Sequence, residues 1–270
     1  MARYGLLGDI HGNLQALQAA LARLDAMGVD RLACVGDLVG YNAEPDECVE
    51  LLRARDVLAI AGNHDLIGTG RLGFDRCSNK AMHSLKRTRR YISDVTAQYL
   101  LGLPSHIELE DHVVLTHGGV RDVQQYMTQP KHILENVAYL RTDFPGRSIC
   151  FFGHTHEQKV FEVDGLEVNV VSVEGPALVA LSAGREYFVN PGSVDASRKR
   201  AHKLAEFAVF DSDALTVEFA QTTYDDARTE AHAEAEGFRI DPWRDRLYDL
   251  RRRITAPARW TIQKLRVGDS

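Results

Sequence analysis

Five short motifs follow one another through the first two-thirds of the chain: Asp9-Ile10-His11, Gly36-Asp37, Gly62-Asn63-His64-Asp65, Thr116-His117-Gly118 and Gly153-His154-Thr155-His156. Every side chain in them that could bind a metal is Asp, Asn or His. A lone Asp-x-His or Gly-Asp arises by chance in many proteins, whereas five such motifs in order form a specific pattern. Together they supply oxygen and nitrogen ligands for two divalent cations with no thiolate among them, the donor set of a hydrolytic metal pair. Two cations about 3.5–4 Å apart need one shared carboxylate and terminal ligands of their own. Asp37 stands between the other groups in chain order and is the natural bridge. No Ser or Cys nucleophile stands in the motifs, so no covalent intermediate is required.

The elements that must position these residues alternate in type. Residues 3–7 read as a buried strand. Leu14, Leu17, Leu21 and Leu24 then recur at helical spacing, with Gly28 as a C-terminal stop. Residues 31–35 form a second strand, Pro45 to Arg53 a helix with Pro near its start, and 57–61 a third strand. This βαβαβ order predicts a mostly parallel sheet, with ligands gathered at the carboxyl ends of its strands. The pattern resumes with strand 112–116, a helix around 130–141 and strand 148–152, so that five strand ends converge on one sheet edge. Beyond it, 160–163 and 166–173 around Asp164-Gly165 read as a hairpin, and 177–181, 204–210 and 215–220 as further strands. This all-β tail predicts a second sheet packed on the first. Residues 224–236 and 242–254 look helical.

Composition narrows the class. Hydrophobic residues make up 44% and charged residues 26% of 270, which is the balance of an ordinary globular protein with one large domain. The N-terminus runs straight into a strand, with no export signal, and no apolar run is long enough to span a bilayer. Cys34, Cys48, Cys77 and Cys150 lie far apart, which argues against a disulfide framework or a thiolate zinc site and for a reducing cytoplasm. A net charge of −6 argues against a dedicated DNA-coating protein, so nucleic acid is an unfavoured partner. Composition leaves the oligomeric state open.

The motifs resemble those of the calcineurin-like metallophosphoesterase superfamily, from about residue 3 to about residue 225. The resemblance implies an α/β fold, a four-layer αββα sandwich of two mixed β-sheets flanked by helices, with a helical insert over the active site. It implies that Asp9, His11 and His156 bind one metal, that Asn63, His117 and His154 bind the second, and that Asp37 bridges them. His64 would sit beside the scissile phosphate as proton donor without ligating metal, and Asp65 would orient it. The stretch after the second motif, Leu38-Val39-Gly40-Tyr41-Asn42, lacks the Asp-Arg-Gly of protein phosphatases and symmetrical dinucleoside tetraphosphate hydrolases. With Asn190-Pro191-Gly192-Ser193, it resembles the small prokaryotic phosphodiesterase branch. The implied reaction is hydrolysis of a small nucleotide-type phosphodiester by a metal-bridging hydroxide. Dinucleoside polyphosphates and phosphomonoesters are the alternative substrates. The ligand set suits manganese first, with iron, zinc or nickel as alternatives.

A catalytic domain is thus expected over residues 1–240, with 66–105 as a helical insert and 241–270 as a helical, basic tail carrying Arg251, Arg252, Arg253, Arg259, Lys264 and Arg266. The insert carries Arg71, Arg76, Lys80, Lys86, Arg87, Arg89 and Arg90, which make either a solvated helix face or a lid that collects polyanions. In the lid reading Arg87, Arg90 and His83 contact substrate. His106, His112, His132, His202 and His232 are expected at the surface or in packing. A non-catalytic binding module on the same fold is the reading of another class. The intact ligand set and His64 weigh against it.

Overall fold

The computed structural model describes residues 2–173, 175–196 and 203–248. Two six-stranded mixed sheets face each other. The first runs in the order β3 (Leu58–Ala59), β2 (Arg31–Cys34), β1 (Arg3–Leu7), β11 (Ala205–Asp211), β12 (Thr216–Thr222), β9 (Ala177–Ala180). The second runs β4 (Ile107–Leu109), β5 (Val113–Leu115), β6 (Ile149–Phe151), β10 (Glu186–Asn190), β7 (Lys159–Asp164), β8 (Glu167–Ser172). Strands β1, β2 and β3 are parallel, as are β5, β6 and β10, and the remaining pairs are antiparallel.

The period-2 alternation of the strands builds four layers. In β1, Tyr4 and Leu6 point between the sheets, whereas Leu7 points outward into a core shared with α1 (Leu14–Ala26) and α2 (Pro45–Ala54). In β5 and β6, Val113, Leu115, Ile149 and Phe151 face inward, and Val114 and Cys150 face outward onto α6 (Pro130–Asp143). The two inner faces meet directly, with the rings of Phe151 and Phe210 5.2 Å apart. Helix α1 starts on Asn13, whose side chain accepts from the Ala16 amide, and ends before Gly28 at φ +67°.

The strands of the tail do not form a sheet of their own. After β2 and β5 have each taken one edge of β1 and β6, the opposite edges are still unpaired. Tail strand β11 fills the first and β10 the second, so each sheet joins early and late chain. Strands β4 and β10 were not expected from the sequence. Both are runs of five residues or fewer.

Helix α3 (Asn63–Gly68) carries the third motif and leads into the insert, which holds α4 (Asn79–Tyr91) and α5 (Asp94–Gly102), with α4 packed on α3 and α5 on α2. Ser78 and Ser93 cap α4 and α5. Helix α7 (Asp226–Ala235) packs on α1. Residues 242–248 are helical. The rest of the helix expected to residue 254, the basic residues from Arg251 onward and His202 lie outside the described residues. Among the described residues no helix is long and apolar enough to cross a membrane. All four cysteines are free and buried.

Candidate active site

The five motifs leave the strand ends of both sheets and meet between them, three from β1, β2 and β3 and two from β5 and β6. This corrects the expectation of a single sheet edge: the ligands approach from two facing layers. The loops are bound to one another by main-chain contacts. The Asp9 amide donates to Gly36 O at 3.0 Å, and the Ile10 and His11 amides both donate to Asp37 O at 2.9 Å. Five of the seven predicted ligands have left-handed backbones: Asp9 (φ 50°), His11 (53°), Asp37 (58°), His154 (67°) and His156 (57°). Each such residue costs of order 1–3 kcal/mol, and the cross-loop bonds hold them there. Gly62 has to be glycine, because a Cβ would stand 2.2 Å from both the Asp37 amide and Asp37 Oδ1.

Two side-chain clusters result. In one, Asp9, His11 and His156 bring their ligand atoms within 4.8 Å of one another. His156 Nε2 lies 3.1 Å from Asp9 Oδ1 and 3.0 Å from His11 Nε2. In the other, Asp37, His117 and His154 do the same, and Asn63 Oδ1 lies 3.0 Å from His117 Nε2. Asp37 joins them: its Oδ2 is 3.8 Å from His11 Nε2 and its Oδ1 is 3.3 Å from His117 Nε2. All seven side chains are buried.

These donors fit divalent cations. His11 Nδ1 is 3.2 Å from Val39 O and His117 Nδ1 is 2.7 Å from Val35 O, so the backbone takes the Nδ1 proton and turns Nε2 inward as a lone pair. His154 Nε2 is buried without a hydrogen-bond partner, as a ligand awaiting a cation would be. Burial, aided by the neighbouring imidazoles, keeps His11 well below the usual histidine range and lowers His154 to about 3, so both stay neutral and able to ligate. Burial also opposes charge on His117, but the Asp37 carboxylate outweighs it and raises that ring to about 9, so a cation bound there would displace the Nε2 proton. Asp37 itself is held well below its usual value: burial works against ionisation, and His117 and His64 overcome it.

His64 lies at the junction of the clusters. Its ring is 4.6 Å from that of His11 and 4.8 Å from that of Tyr41, its amide donates to Asp37 Oδ1 at 2.7 Å, and it falls within ligand distance of His11 and Asp37. Asp65 is placed differently from the expected imidazole partner. Its Oδ2 accepts from the Asp37 and Gly62 amides (2.9 and 2.8 Å), and its Oδ1 from those of Leu38 and Val39 (2.9 and 3.2 Å). All four donors are backbone, so the carboxylate shapes the loop that carries Asp37. Burial and the Asp37 charge push Asp65 up to about 7 against the pull of those donors.

None of the expected substrate contacts of the insert is a member of the clusters. His83 Nε2 bonds to Gly237 O at 3.1 Å, and Arg87 lies over the rings of Tyr91 and Phe238. Arg89 donates to Ile67 O at 2.6 Å, and Arg76 pairs with Asp122 at 2.7 Å. Arg90 is exposed. His83, Arg87 and Arg89 thus fasten α4 to its neighbours.

Several residues at the site escaped the sequence reading. The ring of Tyr126, half exposed, sits 4.1 Å from that of His154. Asn190 Nδ2 donates to Gly153 O at 3.0 Å and Thr155 Oγ1 at 2.8 Å, and Ser193 Oγ donates to Asp9 O at 3.0 Å. The Asn190–Ser193 segment thus straps the first motif to the fifth. The segment stood out in the sequence, but nothing in it said what it would hold.

The family model described as "Calcineurin-like phosphoesterase superfamily domain" matches residues 3–214. The chain belongs to this superfamily. The phosphoesterase is 30% identical over 225 residues to an uncharacterized protein of Methanocaldococcus jannaschii, covering 82% of this chain and 87% of that one. It is similar to the crystal structure of a metallophosphoesterase from Sphaerobacter thermophilus (31% identity, TM-score 0.73), over 87% of this chain and 94% of the other. It also shares its fold with a hypothetical protein of Pyrococcus horikoshii (18% identity, TM-score 0.69, 88% and 94% covered). With its Asp/His clusters on this fold, the phosphoesterase is a hydrolase with a dinuclear metal-binding site.

Proposed function

We propose that the protein is a phosphodiesterase acting on small nucleotide-type substrates in the cytoplasm, with manganese in both metal positions. The observation that carries this is Asp37, whose two oxygens point into two separate clusters 3.8 and 3.3 Å away. Asp9, His11 and His156 would hold one cation, and Asn63, His117 and His154 the other. Two such cations would acidify a shared water and neutralise charge on the phosphoryl oxygens. His64, beside both His11 and Asp37, is placed to donate a proton to the departing oxygen. Asp65 acts on this chemistry indirectly, by fixing the loop of Asp37.

A diester is favoured over a polyphosphate because three of the insert's cations are engaged elsewhere. Arg76, Arg87 and Arg89 are spent on Asp122, on the Tyr91 and Phe238 rings and on Ile67 O. A polyphosphate would need such groups free to grip its extra charge. The test is turnover of bis(4-nitrophenyl) phosphate, bis-adenosine tetraphosphate and 4-nitrophenyl phosphate by protein loaded in turn with manganese, iron, zinc, nickel and magnesium. Hydrolysis of the diester, fastest with manganese, is expected. Hydrolysis of the monoester or tetraphosphate alone would overturn the assignment.

A further inference from the structure

We propose that a cavity beside the metal clusters binds the nucleoside leaving group of the substrate, on a wall built from residues 224–240. This inference rests on the phosphodiesterase reading and names the part of the substrate that sets its specificity.

The cavity holds about 900 Å³ and reaches both His156 and Tyr41. That size is at the upper end for a small-molecule site. The Tyr41 ring lies 4.7 Å from His11 and 4.8 Å from His64, so the cavity opens on the side where the proton donor stands and the leaving group departs.

Its chemistry selects a neutral, flat group. The lining carboxylates Asp195, Asp226 and Glu230 match the lining cations Lys80, Lys203 and Arg239 in number, which leaves no cationic surplus for a second phosphate. Within that balance Arg239 pairs with Glu230, at 2.7 Å. Tyr41 and Tyr224 supply rings, and aromatic rings stack on any nucleobase. Asp195 accepts from Asn13 Nδ2 at 2.8 Å and Asn42 Nδ2 at 2.7 Å. An ionised carboxylate offers about four acceptor positions, which suits it to receive a sugar hydroxyl as well.

The wall is held rigidly. Arg239 donates to Tyr41 O at 2.7 Å and to Asn42 Oδ1 at 2.9 Å, which docks the 224–240 segment onto the loop after the second motif. His83 ties the same segment to α4 through Gly237 O. Tyr224 packs against the core that α1 shares with the first sheet. The wall lies beyond residue 214, where the match to the family domain ends.

The experiment is inhibition of bis(4-nitrophenyl) phosphate hydrolysis by adenosine and uridine, with ribose as control, on the full-length, manganese-loaded protein. Both nucleosides should compete with substrate and ribose should not. Tyr224→Ala should weaken nucleoside inhibition about tenfold or more, and Tyr224→Trp, which keeps a ring, should restore it. Absence of nucleoside inhibition, or equal inhibition of wild type and Tyr224→Ala, would overturn the proposal. If the diester is not hydrolysed at all, the phosphodiesterase reading fails, and equilibrium dialysis with labelled adenosine decides the cavity separately. Binding that is lost in Tyr224→Ala supports the site, and no binding to wild type sinks it.

Discussion

Asp65→Asn should destabilise the protein, and not merely slow it. The two residues differ by one atom, but that atom faces two backbone N–H donors. Whichever oxygen becomes the amide nitrogen, one donor pair loses its acceptor: Leu38 and Val39, or Asp37 and Gly62. A buried N–H left unmet costs about 1–3 kcal/mol, so the pair costs about 2–6 kcal/mol. That is a large part of the roughly 5–15 kcal/mol by which a domain is stable. For a chain of this size it corresponds to a Tm lower by roughly 5–20 °C. Thermal unfolding should be compared at pH 8, above the value of about 7 to which burial and Asp37 raise this carboxyl, so that the wild-type group is ionised. If Asp65 instead orients the His64 imidazole, Asp65→Asn will melt with wild type and lose only turnover. An unchanged Tm would refute the loop-shaping role.

His64→Ala should retain both metals and lose turnover by about 10²–10⁴-fold, less for esters with good leaving groups, because a proton donor matters most where the leaving oxygen is basic. Metal content by elemental analysis decides between this role and ligation, which would show as a lost equivalent. Asn190→Ala removes the strap between Gly153 O and Thr155 and should lower stability by about 1–3 kcal/mol in denaturant unfolding, with weaker metal retention. Arg89→Ala should loosen the insert, seen as faster proteolysis there, while KM for polyanionic and neutral-leaving-group esters stays in the same ratio. A selective rise in KM for polyanions would favour the lid reading.

The chemistry was more legible than the architecture. Asp, Asn and His at glycine-flanked strand ends carry their meaning locally, and the structure brings all seven predicted ligands together. The parallel β1-β2-β3 unit was equally plain, because Leu14, Leu17, Leu21 and Leu24 mark the crossover helix. What the sequence hides is long-range pairing. Nothing local in Ala205–Asp211 says that it completes the sheet of β1 rather than a sheet of its own. The partners of the basic residues of α4 are hidden for a similar reason. A run of Lys and Arg reads as surface charge, yet Arg87 and Arg89 are held by rings and carbonyls that only the fold brings near. The role of Asp65 also had to wait for the fold. Its partners are backbone amides, which have no sequence signature.

Metal stoichiometry of Asp37→Ala tests the bridged dinuclear centre most directly. Wild-type protein reconstituted with manganese should hold two equivalents and hydrolyse bis(4-nitrophenyl) phosphate. Asp37→Ala should keep its fold by circular dichroism, hold at most one equivalent and lose hydrolysis, because the two remaining clusters share no carboxylate. Two equivalents retained with wild-type turnover would contradict the bridge and the mechanism built on it.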